Sequence, residues 1–268
     1  MHTRDVQVEL FAEPGAPCGL ASGPPAPANR ETGSSPAFIA GVTMPFTPID
    51  GEHDERRTEI LQMSEKAAAM LQIVRDAFRA QQTGLLSKAG QLGREIHRHE
   101  KTLMETLVTV ADVSTRPRSD EDTVFVPMHL ERVGDNLEAL VVAIRKMIGE
   151  GILFTDRAAR EMSSLFDLAI ELLECVRDAL RTGNRTLIRN IGAVSRQLDL
   201  MTNEFALFHE QRLIEGVCQP RASSLYLAMF DYLKGIEWHA RQIGEKLAPA
   251  PLSALEPSPG RSERTKPV

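Results

Sequence analysis

Cysteine, aromatic residues and long apolar runs are all scarce in this sequence. Three cysteines (Cys18, Cys175 and Cys218) are scattered along 268 residues, with no CxxC and no even framework. That pattern points to a reducing compartment, hence the cytoplasm. No run of 18 apolar residues exists, so no membrane-spanning helix is expected. The N-terminus has no basic stretch followed by an apolar one, and no signal peptide is read there. Neither sign of charge dominates: 31 Lys and Arg stand against 37 Asp and Glu, a net charge of -6. A mildly acidic chain is a poor ligand for nucleic acid or anionic membrane. Contact with a membrane is expected only through partners.

Proline is nearly absent from the middle. Of 16 prolines, eight lie in residues 1–54, five in 248–268, and three between. An all-β sandwich needs many Gly/Pro turns, so this distribution argues against one. Residues 1–54 carry PGAPCG, SGPPAPAN and TGSSPA, with two arginines against seven acids. Such composition cannot bury enough apolar surface to offset chain entropy, and a disordered N-terminal tail is expected. One apolar piece, residues 38–46, interrupts it. Residues 248–268 read as a second, C-terminal tail.

What remains reads as six long helices and no strand. The first has Ile60, Met63, Ala67, Met70, Leu71, Val74, Ala77 and Phe78 on one stripe of a 3.6-residue period. Thr83-Gly84 interrupts it. A second helix runs over roughly 85–113, with Leu92, Ile96, Leu103, Leu107 and Val110 on one side. Residues 114–122, polar and containing Pro117, read as a loop. The third helix carries Leu130, Val133, Leu137, Val141, Ile144 and Ile148, and ends at Gly149-Glu150-Gly151. The fourth starts near Thr155-Asp156, a cap pair, and stops at Thr182-Gly183-Asn184. The fifth holds Ile188, Ile191, Val194, Leu198, Met201, Phe205 and Phe208. Pro220 precedes the sixth, with Leu225, Leu233, Ile236, Ala240, Ile243 and Leu247.

The six helices look like three written twice. Val74-Arg75-Asp76-Ala77 returns as Val176-Arg177-Asp178-Ala179, and Leu92 and Ile96 match Val194 and Leu198. The third helices align Leu130, Val133, Leu137 and Leu140 with Leu233, Ile236, Ala240 and Ile243. The fold class expected is all-α: two tandem antiparallel three-helix bundles, placed end to end, over 55–151 and 152–247.

The sharpest chemical feature lies on the third helix. Glu131 and Asp135 are four apart and share a helix face beside the apolar stripe. Like charges at that spacing cost a few tenths of a kcal/mol unless a cation or an arginine offsets them. A carboxylate pair for a hard or borderline cation is one reading. A solvated acidic edge paired with Arg132, Arg145 or Lys146 is the other. Gly134 lies between them on the core side, where it would admit a neighbouring helix. The second helix offers His97 and Glu100, three apart on one face, while His99 points elsewhere. Imidazole with carboxylates suits Zn, Fe or Mn. No catalytic constellation is found: there is no GxSxG and no Gly-rich phosphate loop, and Glu never stands three before a histidine, as a diiron ExxH requires. Cys175 sits on an apolar stripe as a structural thiol, and Trp238 and Tyr232 read as packing residues.

Leu130-Glu131-Arg132-Val133-Gly134-Asp135-Asn136, together with the twofold repeat, resembles the PhoU family over roughly 57–247. The resemblance implies a multinuclear metal site (iron, zinc, magnesium or manganese) built from acids on the second and third helices of each bundle. In the first repeat it carries over to Glu131, Asp135 and Glu100, with His97 where the family has an acid. In the second repeat, Lys234 and Trp238 replace both acids of the signature and only Asp199 remains, so no metal is expected there. The resemblance also implies a non-enzymatic, homodimeric, cytoplasmic regulator of phosphate transport and phosphate-starvation signalling. Its partners would be a phosphate ABC transporter ATPase, a sensor histidine kinase or a sodium/phosphate transporter. A metal-dependent helical-bundle enzyme and a structural scaffold unrelated to phosphate stand as alternatives.

Overall fold

The structure is a computed structural model that describes residues 51–109 and 119–248. Six helices make up the described chain: α1 (Gly51–Ala80), α2 (Gly84–Thr109), α3 (Ser119–Gly149), α4 (Asp156–Thr182), α5 (Arg185–Ile214) and α6 (Pro220–Leu247). No strand occurs among the described residues. The all-α expectation holds, with rods of about 40–45 Å at 1.5 Å per residue. None of these helices is long and apolar enough to cross a membrane.

The breaks have local causes. Gln81 takes a left-handed φ of 53° and closes α1, with the Gln82 N–H donating to Ala77 O at 3.2 Å. Gly151, at φ 62°, ends α3, and the Ile152 N–H donates to Met147 O at 2.9 Å. Thr155 caps α4 as expected, its hydroxyl accepting from the Ala158 N–H at 3.2 Å. Gly183 (φ 63°) closes α4, and the Asn184 side chain caps α5.

Two sequence expectations shift. Gly51–Asp54 belong to α1, so the N-terminal tail cannot extend to residue 54. Ser119–Glu121 and Asp122 are the first turn of α3 and not a loop. Pro127 lies inside that helix, buried, where its missing N–H costs a rung but leaves the rod continuous. The remainder of the expected loop, residues 110–113 of the expected second helix, the segment 38–46, Cys18 and most of both tails lie outside the described residues.

The bundles lie side by side, not end to end. α1 packs on α2 and α3, and α6 on α4 and α5; α1 also meets α4, and α3 meets α6. α2 and α5 each touch only their own bundle, on the outside. The α1–α4 seam is itself two-fold. Arg79 bonds Asp167 at 2.6 Å, and Arg181 bonds Glu65 at 2.9 Å. Residues 79 and 65 are the repeat equivalents of 181 and 167, so each copy makes the same contact with the other. Between them Gln72 Nε2 donates to its own equivalent, Glu174, at 2.9 Å. The apolar stripes of all six helices merge into one core, with Met70, Leu71, Val74, Leu137, Phe166, Leu172, Leu233 and Ile236 fully buried.

Candidate metal centre

Gly134 brings α3 close to α2: a Cβ there would lie 3.2 Å from Ile96 Cγ2. The residue after Ile96 is therefore held over the acidic edge of α3. His97 Nδ1 lies 3.6 Å from Glu131 Oε1, and its Nε2 lies 3.8 Å from Asp135 Oδ1. One donor atom from each of these three half-buried residues falls within 4.8 Å of the others. Tetrahedral ligand bonds of about 2.0–2.2 Å hold donors about 3.3–3.6 Å apart, so a zinc-sized ion would draw these side chains together by up to about an ångström. Among the described residues no other group of three His, Cys, Asp or Glu converges in this way.

Burial, then the charge on Asp135, push the Glu131 carboxyl above its usual range, against the pull of Arg132 and His97. Arg132 is the local counter-charge. Its Nη1 donates to Asp135 Oδ2 at 3.0 Å, and its Nε lies 3.5 Å from Glu131 Oε2. An ion entering the cluster competes with this arginine.

Glu100 adds to the negative charge felt by Glu131 but stands outside the converging three. A residue that the sequence reading passed over takes a place beside them. Glu138 Oε1 lies 3.5 Å from His97 Nε2, and its carboxyl fills the space left by the missing side chain of Gly93. The signal was present: 131, 135 and 138 are spaced 4 and 3, one helix face. His99 turns away and pairs with Glu59 on α1.

The second repeat holds the same positions with other residues. His97, Glu131, Asp135 and Glu138 correspond to Asp199, Lys234, Trp238 and Arg241. Lys234 Nζ lies 3.6 Å from Asp199 Oδ1 and donates to Asn203 Oδ1 at 2.9 Å. Arg241 pairs with Glu237 at 3.1 Å and Glu245 at 2.8 Å. Together with Arg196, Leu200, Gly235 and Glu237, the four equivalents line an open groove of about 610 Å³. Trp238 packs its edge on His239, but it is 46% exposed and is a groove residue more than a packing one.

Two further polar clusters escaped the sequence. Between the bundles, His129 and His239 bring their Nδ1 atoms to 2.8 Å, so one imidazole donates and the other accepts. Burial, then the nearby His129 and Arg132, push His239 down to about 4. Within the second bundle, the Glu161 carboxylate is 6% exposed and accepts from both Arg212 Nη atoms, at 2.9 and 2.7 Å. It also accepts from Tyr226 Oη at 2.6 Å and Arg157 Nε at 2.9 Å. Burial alone would raise Glu161; these four bonds more than reverse it and hold the carboxyl below its usual range. Cys175 is buried, as expected, and accepts from Asn190 Nδ2 at 3.3 Å.

No family model and no curated protein matches the chain. Its fold does match solved structures. PhoU from Pseudomonas aeruginosa superposes with a TM-score of 0.64 at 19% identity, over 73% of this chain and 95% of that one. The phosphate transport system regulatory protein PhoU from Streptococcus pneumoniae gives 0.59 at 15%, over 73% and 93%. A PhoU-like protein from Shewanella oneidensis gives 0.53 at 13%, over 71% and 96%. The fold is PhoU-like, at sequence identities of 19% and below to these structures.

Proposed function

We propose that this chain is a PhoU-like regulatory adaptor of phosphate transport and phosphate-starvation signalling, acting in the cytoplasm as a homodimer and through protein contacts. The observation that carries the reading is the convergence of His97, Glu131 and Asp135 on a PhoU-like frame. The solved relatives include a phosphate transport system regulatory protein. The donors fit a single ion. One imidazole with two carboxylates is a mixed N/O set, which favours Zn, Mn or Fe over Mg or Ca. His97, Glu131 and Asp135 would hold the ion, with Glu138 and Glu100 adding charge around it. When bound, it supplies a cross-link between α2 and α3 and no reaction. In the second repeat the Lys234 ammonium covers Asp199, the one acid left at the equivalent positions, and no ion is assigned there.

The partners proposed are a phosphate ABC transporter ATPase, a sensor histidine kinase or a sodium/phosphate transporter. The test is capture of tagged protein from its own host, grown in high and in low phosphate, with co-purifying proteins identified by mass spectrometry. Enrichment of one of these partners in a phosphate-dependent manner supports the reading. Their absence in both conditions, together with unchanged phosphate uptake on deletion, contradicts it.

A further inference from the structure

The groove between α5 and α6 occupies in the second repeat the place that the His97 cluster occupies in the first, with the charge reversed. Glu131, Asp135 and Glu138 have become Lys234, Trp238 and Arg241. The two acids in its wall are already bound, Asp199 by Lys234 at 3.6 Å and Glu237 by Arg241 at 3.1 Å. Arg196 lines the groove, exposed, with no ion pair among the described residues.

Two further exposed arginines, Arg185 and Arg189, precede it on α5, and no acid occurs from 184 to 198. Cations crowd the N-terminal half of that helix, where the macrodipole favours anions. The first turn of α5 holds no acid to offset them. In a chain of net charge -6, this positive strip is local and is not an effect of composition.

Apolar surface lies against the strip. Leu200 is 68% exposed in the groove beside Trp238, and Leu207 (66%) and Ile214 (75%) continue along α5. A spacing of seven keeps the three on one stripe, the geometry by which one helix receives another.

We propose that this strip is the docking surface for an acidic amphipathic helix of a protein partner. Apolar residues of the incoming helix cover Leu200, Leu207, Ile214 and the indole of Trp238, and its carboxylates meet Arg196, Arg189 and Arg185. Tryptophan and arginine are the residue types that most often dominate protein interfaces. The apolar row supplies affinity, and the cations set orientation and exclude basic helices. The proposal goes beyond the adaptor reading, which rests on the first repeat, and its test involves neither phosphate nor metal.

Trp238 is the one tryptophan in the chain, so the tryptophan fluorescence of the full-length protein comes from a single residue in this groove. The probes are a synthetic helix with leucine heptads flanked by glutamate, and its isomer with lysine for glutamate. The glutamate peptide is expected to shift Trp238 emission to the blue, saturably, and to bind more weakly as salt rises. Arg196→Glu and Leu200→Ser should each weaken it by about tenfold. Both side chains are exposed, and circular dichroism verifies that the helices persist. An equal response to the lysine peptide, no response to either, or displacement by a single-stranded oligonucleotide would overturn the proposal.

Discussion

Lys234 Nζ sits 3.6 Å from Asp199 Oδ1, and the equivalent pair in the first repeat, Glu131 and His97, is also 3.6 Å apart. The duplicated frame therefore brings the same two positions together twice and fills them with opposite chemistry. In one copy a carboxylate faces an imidazole, and an ion can join them. In the other an ammonium faces a carboxylate, and the pair is already complete. The Lys234→Glu variant would place two acids there but would still lack the imidazole and the second and third carboxylates of the first copy.

Arg132 competes with any ion for Asp135 and Glu131. Arg132→Ala should tighten zinc binding several-fold, roughly 1 kcal/mol for a mostly exposed pair. Because the Glu131 carboxyl is raised, the affinity should fall with decreasing pH sooner than for an ordinary carboxylate site, since the protonated acid does not ligate. Calorimetric zinc titrations of both proteins at several pH values measure this. Weaker binding in the variant would assign Arg132 to the site and not against it.

Glu161 is the buried hub of the second bundle. Glu161→Ala leaves the buried Arg212 without its carboxylate counter-charge and should cost about 3–5 kcal/mol. The double variant Glu161→Leu/Arg212→Met should be more stable than either single one, because no charge is left stranded. The folded carboxyl titrates below its usual 4.5. Its contribution is therefore complete above that value and is lost as pH falls through the folded one. Urea unfolding curves give all of these quantities; additive single costs would deny the coupling.

His209 stacks on Tyr226 in the same region, and its Nε2 is buried without a partner. Burial, then Arg212, hold it below its usual 6.5. The unfolded chain then binds the extra proton first. Stability should be full above about pH 6.5 and decline on acidification towards the folded value. His209→Gln should flatten that part of the pH profile. If the slope between neutral and mildly acid pH is unchanged in the variant, His209 is not its source.

Two glycines should respond oppositely to alanine. A Cβ at Gly244 would lie 2.6 Å from Ile191 Cγ2, a stiff β-branched neighbour, so Gly244→Ala should destabilise by about 1–3 kcal/mol. At Gly90 only the tip of Arg94 comes near, at 3.7 Å, and Gly90→Ala should stabilise by about 0.5–1 kcal/mol. Thermal unfolding separates the two cases.

The helices were legible because each buried stripe repeats at 3.6 residues and breaks such as those at Thr155 and Gly183 carry their own residue signal. Ser119–Glu121 were not, since a polar, acidic first turn reads as a loop when no apolar stripe has begun. The side-by-side seam could not be read because Arg79 and Asp167 are paired by tertiary geometry alone. His97, Glu131 and Asp135 were accessible from helix faces and the repeat; Glu138 extends the same face at the spacing of 4 and 3. His209 and Arg212 stand in register with Leu198, Thr202 and Phe205. Polar residues on a buried stripe were the one local sign of the Glu161 network.

The most direct test of the inverted pair of sites is the number of zinc ions bound by metal-stripped, full-length protein at neutral pH, read by equilibrium dialysis and elemental analysis. The account predicts one ion per chain, lost in His97→Ala and in Glu131→Gln and kept in Asp199→Asn, with helix content unchanged in all three. No bound ion, two bound ions, or one that survives both first-repeat substitutions would contradict it.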